Sequence, residues 1–181
     1  MTTLVAIHSE KHGTYIGSDT KATLGNSQRI VGPKWVYIHP QIAVGVSGAK
    51  RALDILANAS DEILEGVIPD GIKSFNAYNL AMNIHNLLRE QGWTDSDSIP
   101  NVDASFVFAT PHEIYDIDSS FSICKSFNDE IIAVGSGEQY AVGCAYATGK
   151  LHTANRVRMS VEAGILNDPL SGGEVFIDRV K

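Results

Sequence analysis

TTLVAIHSEKHGTYIGSDTKATLG, residues Thr2 to Gly25, sets two hydroxyl residues ahead of an apolar run and follows it, beyond His12-Gly13, with a second run ending at Asp19. Val, Ile, Tyr and Thr suit a pleated, half-buried surface, so Thr3–Ile7 and Tyr15–Asp19 are expected as two strands of a hairpin. Thr2-Thr3 by itself is a plain strand opening. It carries a second reading: loss of Met1 would leave Thr2 with a free α-amino group beside its own hydroxyl, a base and a nucleophile on one residue. A two-residue motif is weak alone, so partners elsewhere in the chain must decide between the two.

Working outward, Trp35–His39 and Ile42–Val46 read as a second hairpin around Pro40. The period then changes. Ala49, Ala52, Leu53, Leu56 and Ala57 follow i, i+3, i+4, i+7, i+8, one apolar stripe on a helix, and a second helix is expected from Ile72 to Gln91, closed by Gly92. Ala104–Ala109, Glu113–Ile117, Phe121–Lys125 and Ile131–Val134 read as an antiparallel meander. Helices follow after Gly137 and over Thr153–Leu166, and Glu174–Val180 reads as a last strand. Strands, two helices, strands, two helices and a strand suit two antiparallel sheets face to face with helices on both outsides, an α+β class. A chain of 181 residues, 44% apolar and without linker or repeat, is expected to form one domain over residues 1–181.

The net charge of −7 offers no basic patch for nucleic acid. No stretch reaches the roughly 18 apolar residues of a membrane span, and the start lacks a signal-peptide layout, so a cytoplasmic protein is expected. Cys124 and Cys144 have no metal-type spacing. The six histidines form no HExxH-like pair, so neither metal nor other cofactor is expected.

Three polar clusters fall at strand ends or helix starts. Asp19 and Lys34 could pair, either as a surface salt bridge worth under about 1 kcal/mol or as a functional couple. Val44-Gly45-Val46-Ser47-Gly48 runs from a strand into a helix, where glycine could expose a backbone N–H as an oxyanion donor or simply make the turn. Gly135-Ser136-Gly137 and Asp168-Pro169-Leu170-Ser171-Gly172-Gly173 are Ser-Gly turns between strand and helix. A serine hydrolase built on Ser136 fails on spacing, because the G-x-S-x-G elbow is absent.

Together these segments resemble the N-terminal nucleophile hydrolases of the proteasome β-subunit superfamily. Thr2-Thr3-Leu4-Val5, Gly17-Ser18-Asp19 and Ala22-Thr23-Leu24-Gly25-Asn26 resemble the bacterial peptidase of that superfamily, the partner of an ATP-driven unfoldase. Asp168-x-x-Ser171-Gly172-Gly173 is similar to the proteasomal form. Pro33-Lys34 falls where the family's lysine belongs, and Gly135-Ser136-Gly137 with Tyr140-Ala141 is similar to its helix-opening motif. The mixture points to a proteasome-like bacterial branch such as the β-proteobacterial homologue.

The resemblance implies a four-layer αββα fold and a threonine-type endopeptidase. Thr2 would be the nucleophile and, through its own amine, the base. Lys34 would lower the amine's pKa, Asp19 would orient Lys34, and the N–H of Gly45 would bind the oxyanion. Ser136, Asp168 and Ser171 would hold the amine and a water. Thr23 would pair with an extended substrate, and Ala22, Ala43 and Ser47 would shape a roomy first specificity pocket. It further implies stacked homo-oligomeric rings, six- or seven-fold, enclosing unfolded polypeptide. The mixed motifs weaken the case for an unfoldase partner. Two alternatives stay open: a small-molecule amidase of the same fold, and a catalytically silent ring.

Overall fold

In the computed structural model, which describes residues 2–24, 27–59, 61–92 and 102–181, the opening stretch forms strands β1 (Leu4–Ser9) and β2 (Gly13–Asp19). They pair antiparallel in the register Leu4↔Ser18 to Ser9↔Gly13. Met1 and the Gly25-Asn26 pair of the quoted motif lie outside the described residues. Beyond β2 the chain makes a small hairpin, β3 (Lys21–Leu24) with β4 (Ser27–Ile30). It then forms β5 (Trp35–His39) and β6 (Ile42–Gly48), and helix α1 (Lys50–Ala57).

Helix α2 (Ala77–Glu90) leads into β7 (Ala104–Ala109), β8 (Ile114–Ile117), β9 (Ile123–Lys125) and β10 (Ile131–Val134). Helices α3 (Glu138–Ala147) and α4 (Thr153–Asn167) and strand β11 (Val175–Val180) close the chain. One sheet has the order β10-β1-β2-β11 and the other β5-β6-β7-β8-β9. With α3 and α4 packed on the first sheet, and α1 and α2 on the second, the layers run αββα, as expected.

Strand alternation sorts the core into three sets. Leu4, Ala6 and Ile16 meet Trp35, Ala43 and Val107 between the sheets. Val5 and Ile7 face Ala141, Val157 and Val161 of the helices. On the far side Val44, Val46, Phe106 and Phe108 pack against Leu80, Ile84 and Leu88. Burial of each of the larger side chains is worth roughly 1.5–3 kcal/mol, and a one-residue slip would turn a whole set to the wrong layer. Register is therefore firmly held.

Three expectations change. Strand β10 leaves the meander and joins the other sheet, pairing Leu4↔Val134. Helix α2 starts at Ala77 rather than Ile72, because the Asn76 side chain caps it by accepting from the Asn79 N–H at 3.0 Å, and Ile72–Ser74 is a separate 3-10 turn. The β3–β4 hairpin was not expected. Among the described residues no helix is long and apolar enough to cross a membrane.

Candidate active site

Alternation along β1 and its lead-in turns Thr2 and Thr3 to opposite sides. Thr3 shares the side of Val5 and is fully enclosed under α4. A Cβ on Gly137 would lie 1.9 Å, and one on Gly164 2.3 Å, from Thr3 Oγ1, so glycine is required at both positions. Its hydroxyl bonds Ser171 Oγ at 2.7 Å and its N–H donates to Asp19 Oδ1 at 2.8 Å. Thr2 shares the side of Leu4 and borders a cleft of about 330 Å³ with Ala22, Thr23, Lys34, Val46 and Gly48. Its backbone carbonyl accepts the Gly137 N–H at 3.2 Å. Gly135, with φ of 102°, sits so close that a Cβ would be 2.2 Å from that carbonyl oxygen. One threonine is locked in place and its neighbour is presented to the cleft.

Lys34 and Asp19 are not a surface salt bridge. Asp19 is fully buried and Lys34 is 5% exposed, with Nζ donating to Asp19 Oδ1 at 2.7 Å. A buried ion pair survives only when its remaining lone pairs are satisfied. Here Oδ1 also accepts the Thr3 N–H, and Oδ2 accepts the Gly172 N–H at 3.0 Å. The Lys34 N–H donates to Ser18 Oγ, which in turn donates to the Asp19 carbonyl. Burial pushes the Lys34 ammonium below its ordinary range; the charge and hydrogen bond of Asp19, and the charge of Asp168, pull it back only in part.

Ser136, Asp168 and Ser171 also come together. Asp168 Oδ2 accepts the Ser136 hydroxyl at 2.5 Å and the Ser171 hydroxyl at 2.7 Å, and Oδ1 accepts the Leu170 N–H at 3.1 Å. Burial alone would raise this carboxyl, but the two hydroxyls and the backbone N–H groups outweigh it and hold it below the usual carboxylate range. Ser171 joins the cluster to Thr3, and Gly172 joins it to Asp19.

The second strand of the cleft is offset from the sequence reading. Ala43 and Gly45 lie between the sheets, and a Cβ on Gly45 would meet Leu4 Cδ2 at 2.5 Å. Ser47 turns the same way, its Oγ 2.9 Å from where a Gly135 Cβ would be. None of the three borders the cleft; Val46, Gly48 and Lys50, each three residues on, do. The amides follow the same logic. Val46 N–H donates to the Lys34 carbonyl at 2.9 Å, so by antiparallel alternation the Gly45 N–H faces β7 and the Gly48 N–H points to the opposite, β5 side of the strand. Gly48, with φ of 112°, bends the backbone there into α1. Its Ser-Gly step just before the first helical stripe was the available signal.

Thr2, Asp19, Lys34, Ser136, Asp168 and Ser171, read from distant parts of the chain, thus converge at one end of the two sheets, with Ala22 and Thr23 on the β3 wall. Such a constellation can activate a hydroxyl beside a backbone donor and seat an extended peptide. Among the described residues no group of three or more His, Cys, Asp or Glu is arranged to hold a metal ion.

No protein-family model matches the sequence, and no curated protein sequence matches it. Solved structures do. Thiobacillus denitrificans BPH superposes with a TM-score of 0.76 at 18% identity, over 99% of this chain and 98% of that one. The same protein in complex with epoxomicin gives 0.75 at 18% identity, over 99% of both chains. Eukaryotic HslV from Trypanosoma brucei gives 0.70 at 19% identity, over 97% of both. At such identity the likeness shows a shared fold along almost the whole chain.

Proposed function

We propose that this chain, which has the αββα fold of proteasome β-subunit-like proteins, is an N-terminal threonine endopeptidase that degrades unfolded polypeptide inside a homo-oligomeric ring in the cytoplasm. One observation carries the reading: Thr2, and not Thr3, borders the cleft that is also bordered by Lys34, itself paired with the buried Asp19.

Removal of Met1 supplies the base. The freed α-amine, with an ordinary pKa of about 7.7–8.0, takes the Thr2 hydroxyl proton as Oγ attacks the substrate carbonyl. The Lys34 ammonium disfavours a second positive charge nearby and lowers the amine's pKa, so more of it is free base at neutral pH. Oγ–C bond formation moves the carbonyl electron pair onto oxygen, and the Gly48 N–H donates a hydrogen bond to that oxyanion. Losing such a donor typically costs about a hundredfold to a thousandfold in rate. Collapse expels the leaving amine with the proton held by the Thr2 amine, and water then hydrolyses the ester. Ser136, Asp168 and Ser171 hold the Thr2 amine and that water.

The test is hydrolysis of fluorogenic peptides and of an unfolded protein by wild type, Thr2→Ala and Thr2→Ser. Wild type is active, Thr2→Ala falls by about a thousandfold or more, and Thr2→Ser keeps part of the rate. Epoxomicin, held by one of the structural neighbours, inhibits wild type. Equal hydrolysis by wild type and Thr2→Ala overturns the reading.

A further inference from the structure

We propose that the cleft selects peptides with an acidic side chain on the residue just N-terminal to the scissile bond, and that Lys50 reads that side chain. The proposal rests on the peptidase reading of the same site. In a chain with net charge −7, four of the 14 Lys and Arg residues border this one cleft: Lys21, Lys34, Lys50 and Arg51. Among the described residues, no Asp or Glu borders it.

The four cations are not equally engaged. Lys34 is committed to Asp19. Lys21 Nζ donates to the Pro169 carbonyl at 2.9 Å, a partner that leaves its charge un-neutralised, and Arg51 Nη2 is engaged by the Gln91 carbonyl at 2.8 Å. Lys50 meets Asp54 one turn along α1, with side chains 40% and 57% exposed. An exposed pair of this kind is too weak to hold the ammonium against a carboxylate delivered by substrate.

Helix α1 reinforces the sign. Lys50 is its first residue, its first turn carries no acidic side chain, and Ala49 gives no side-chain cap, so the positive end of the helix dipole adds to the cationic wall. Val46, Ala49 and Leu53 supply apolar surface beneath, suited to the methylenes of a glutamate. A leucine side chain gains those walls but nothing from the cations. A lysine side chain meets repulsion. Glutamate gains both.

The experiment compares acetyl-Ala-Ala-Xaa-aminomethylcoumarin with Xaa as Glu, Leu or Lys, on wild type and Lys50→Glu. Wild-type kcat/KM runs Glu above Leu above Lys, with Glu at least about tenfold over Lys. Lys50→Glu lowers the Glu-to-Lys ratio about tenfold or more, and added salt compresses the wild-type ratio, which a purely steric pocket would not show. Preference for Leu or Lys, or a ratio unmoved by Lys50→Glu and by salt, overturns the proposal. Equilibrium binding of the three peptides as C-terminal amides to Thr2→Ala reads the same order without turnover. Glu-amide bound best with no peptide cleaved sinks the peptidase reading and keeps the acidic preference; Thr2-dependent cleavage without Glu preference does the reverse.

Discussion

Asp19 shows how a single side chain ties the site together, since its two oxygens accept from Lys34, Thr3 and Gly172, three segments far apart in sequence. Removing the cation leaves an uncompensated buried charge, so Lys34→Met should lose roughly 3–5 kcal/mol, read by urea unfolding. In whatever protein stays folded, the pH-rate inflection of the Thr2 amine should move up, because the neighbouring ammonium that depresses it is gone. Asp168 makes an acid-side prediction. Its folded pKa lies below the ordinary 3.8, so its contribution is present above about that pH and is lost as pH falls through the folded value. The stability gap between wild type and Asp168→Asn should therefore be largest near neutral pH and shrink below pH ~4. A loss independent of pH would show that the carboxylate's charge is not what stabilises the turn.

Strand β6 separates two glycines of different use. Gly45→Ala puts a methyl into Leu4 between the sheets and should cost roughly 1–3 kcal/mol of stability, while the protein that folds keeps its kcat. Gly48→Ala strains a positive φ, and its Cβ would come 2.3 Å from the Asp103 carbonyl oxygen, so it should displace the oxyanion donor and lower kcat about a hundredfold or more. Unfolding curves beside peptide hydrolysis distinguish them. The sequence could not make this choice, since both glycines lie in one Val-Gly-Val-Ser-Gly run and only pairing shows which side of the sheet each takes. The β5–β6 register shifts between Tyr37 and His39, an irregularity without a sequence mark. Hairpin β3–β4 leaves no signature in the sequence for a related reason: Ser27–Ile30 is exposed throughout, so no buried alternation marks it. Strand β10 was legible as a strand but not in its partner, because pairing with β1 is a long-range choice. The amphipathic stripes of α1 and α2 and the apolar runs of β1, β2, β6 and β7 were legible because burial dictates their period.

At the scale of the molecule, an unselective peptidase needs enclosure, and the proposed ring predicts a native mass that is a multiple of the 19.5 kDa chain, six or seven copies to a ring. Native mass spectrometry showing a lone chain would contradict that assembly. Most of the constellation was readable from short motifs in the right order, because Asp19, Lys34, Ser136, Asp168 and Ser171 each sit at a strand end or turn. Their convergence on Thr3 as a locked neighbour of Thr2 was not, because it depends on two glycines, Gly137 and Gly164, making room in a different layer. The central claim concerns the Thr2 α-amine. The most direct measurement prepares the protein with different fractions of Met1 removed by methionine aminopeptidase, determines each fraction by intact mass, and records peptide hydrolysis of the same samples. Activity rising in proportion to the fraction of chains that begin at Thr2, from zero when all retain Met1, is the predicted result; full activity in chains that all retain Met1 would contradict it.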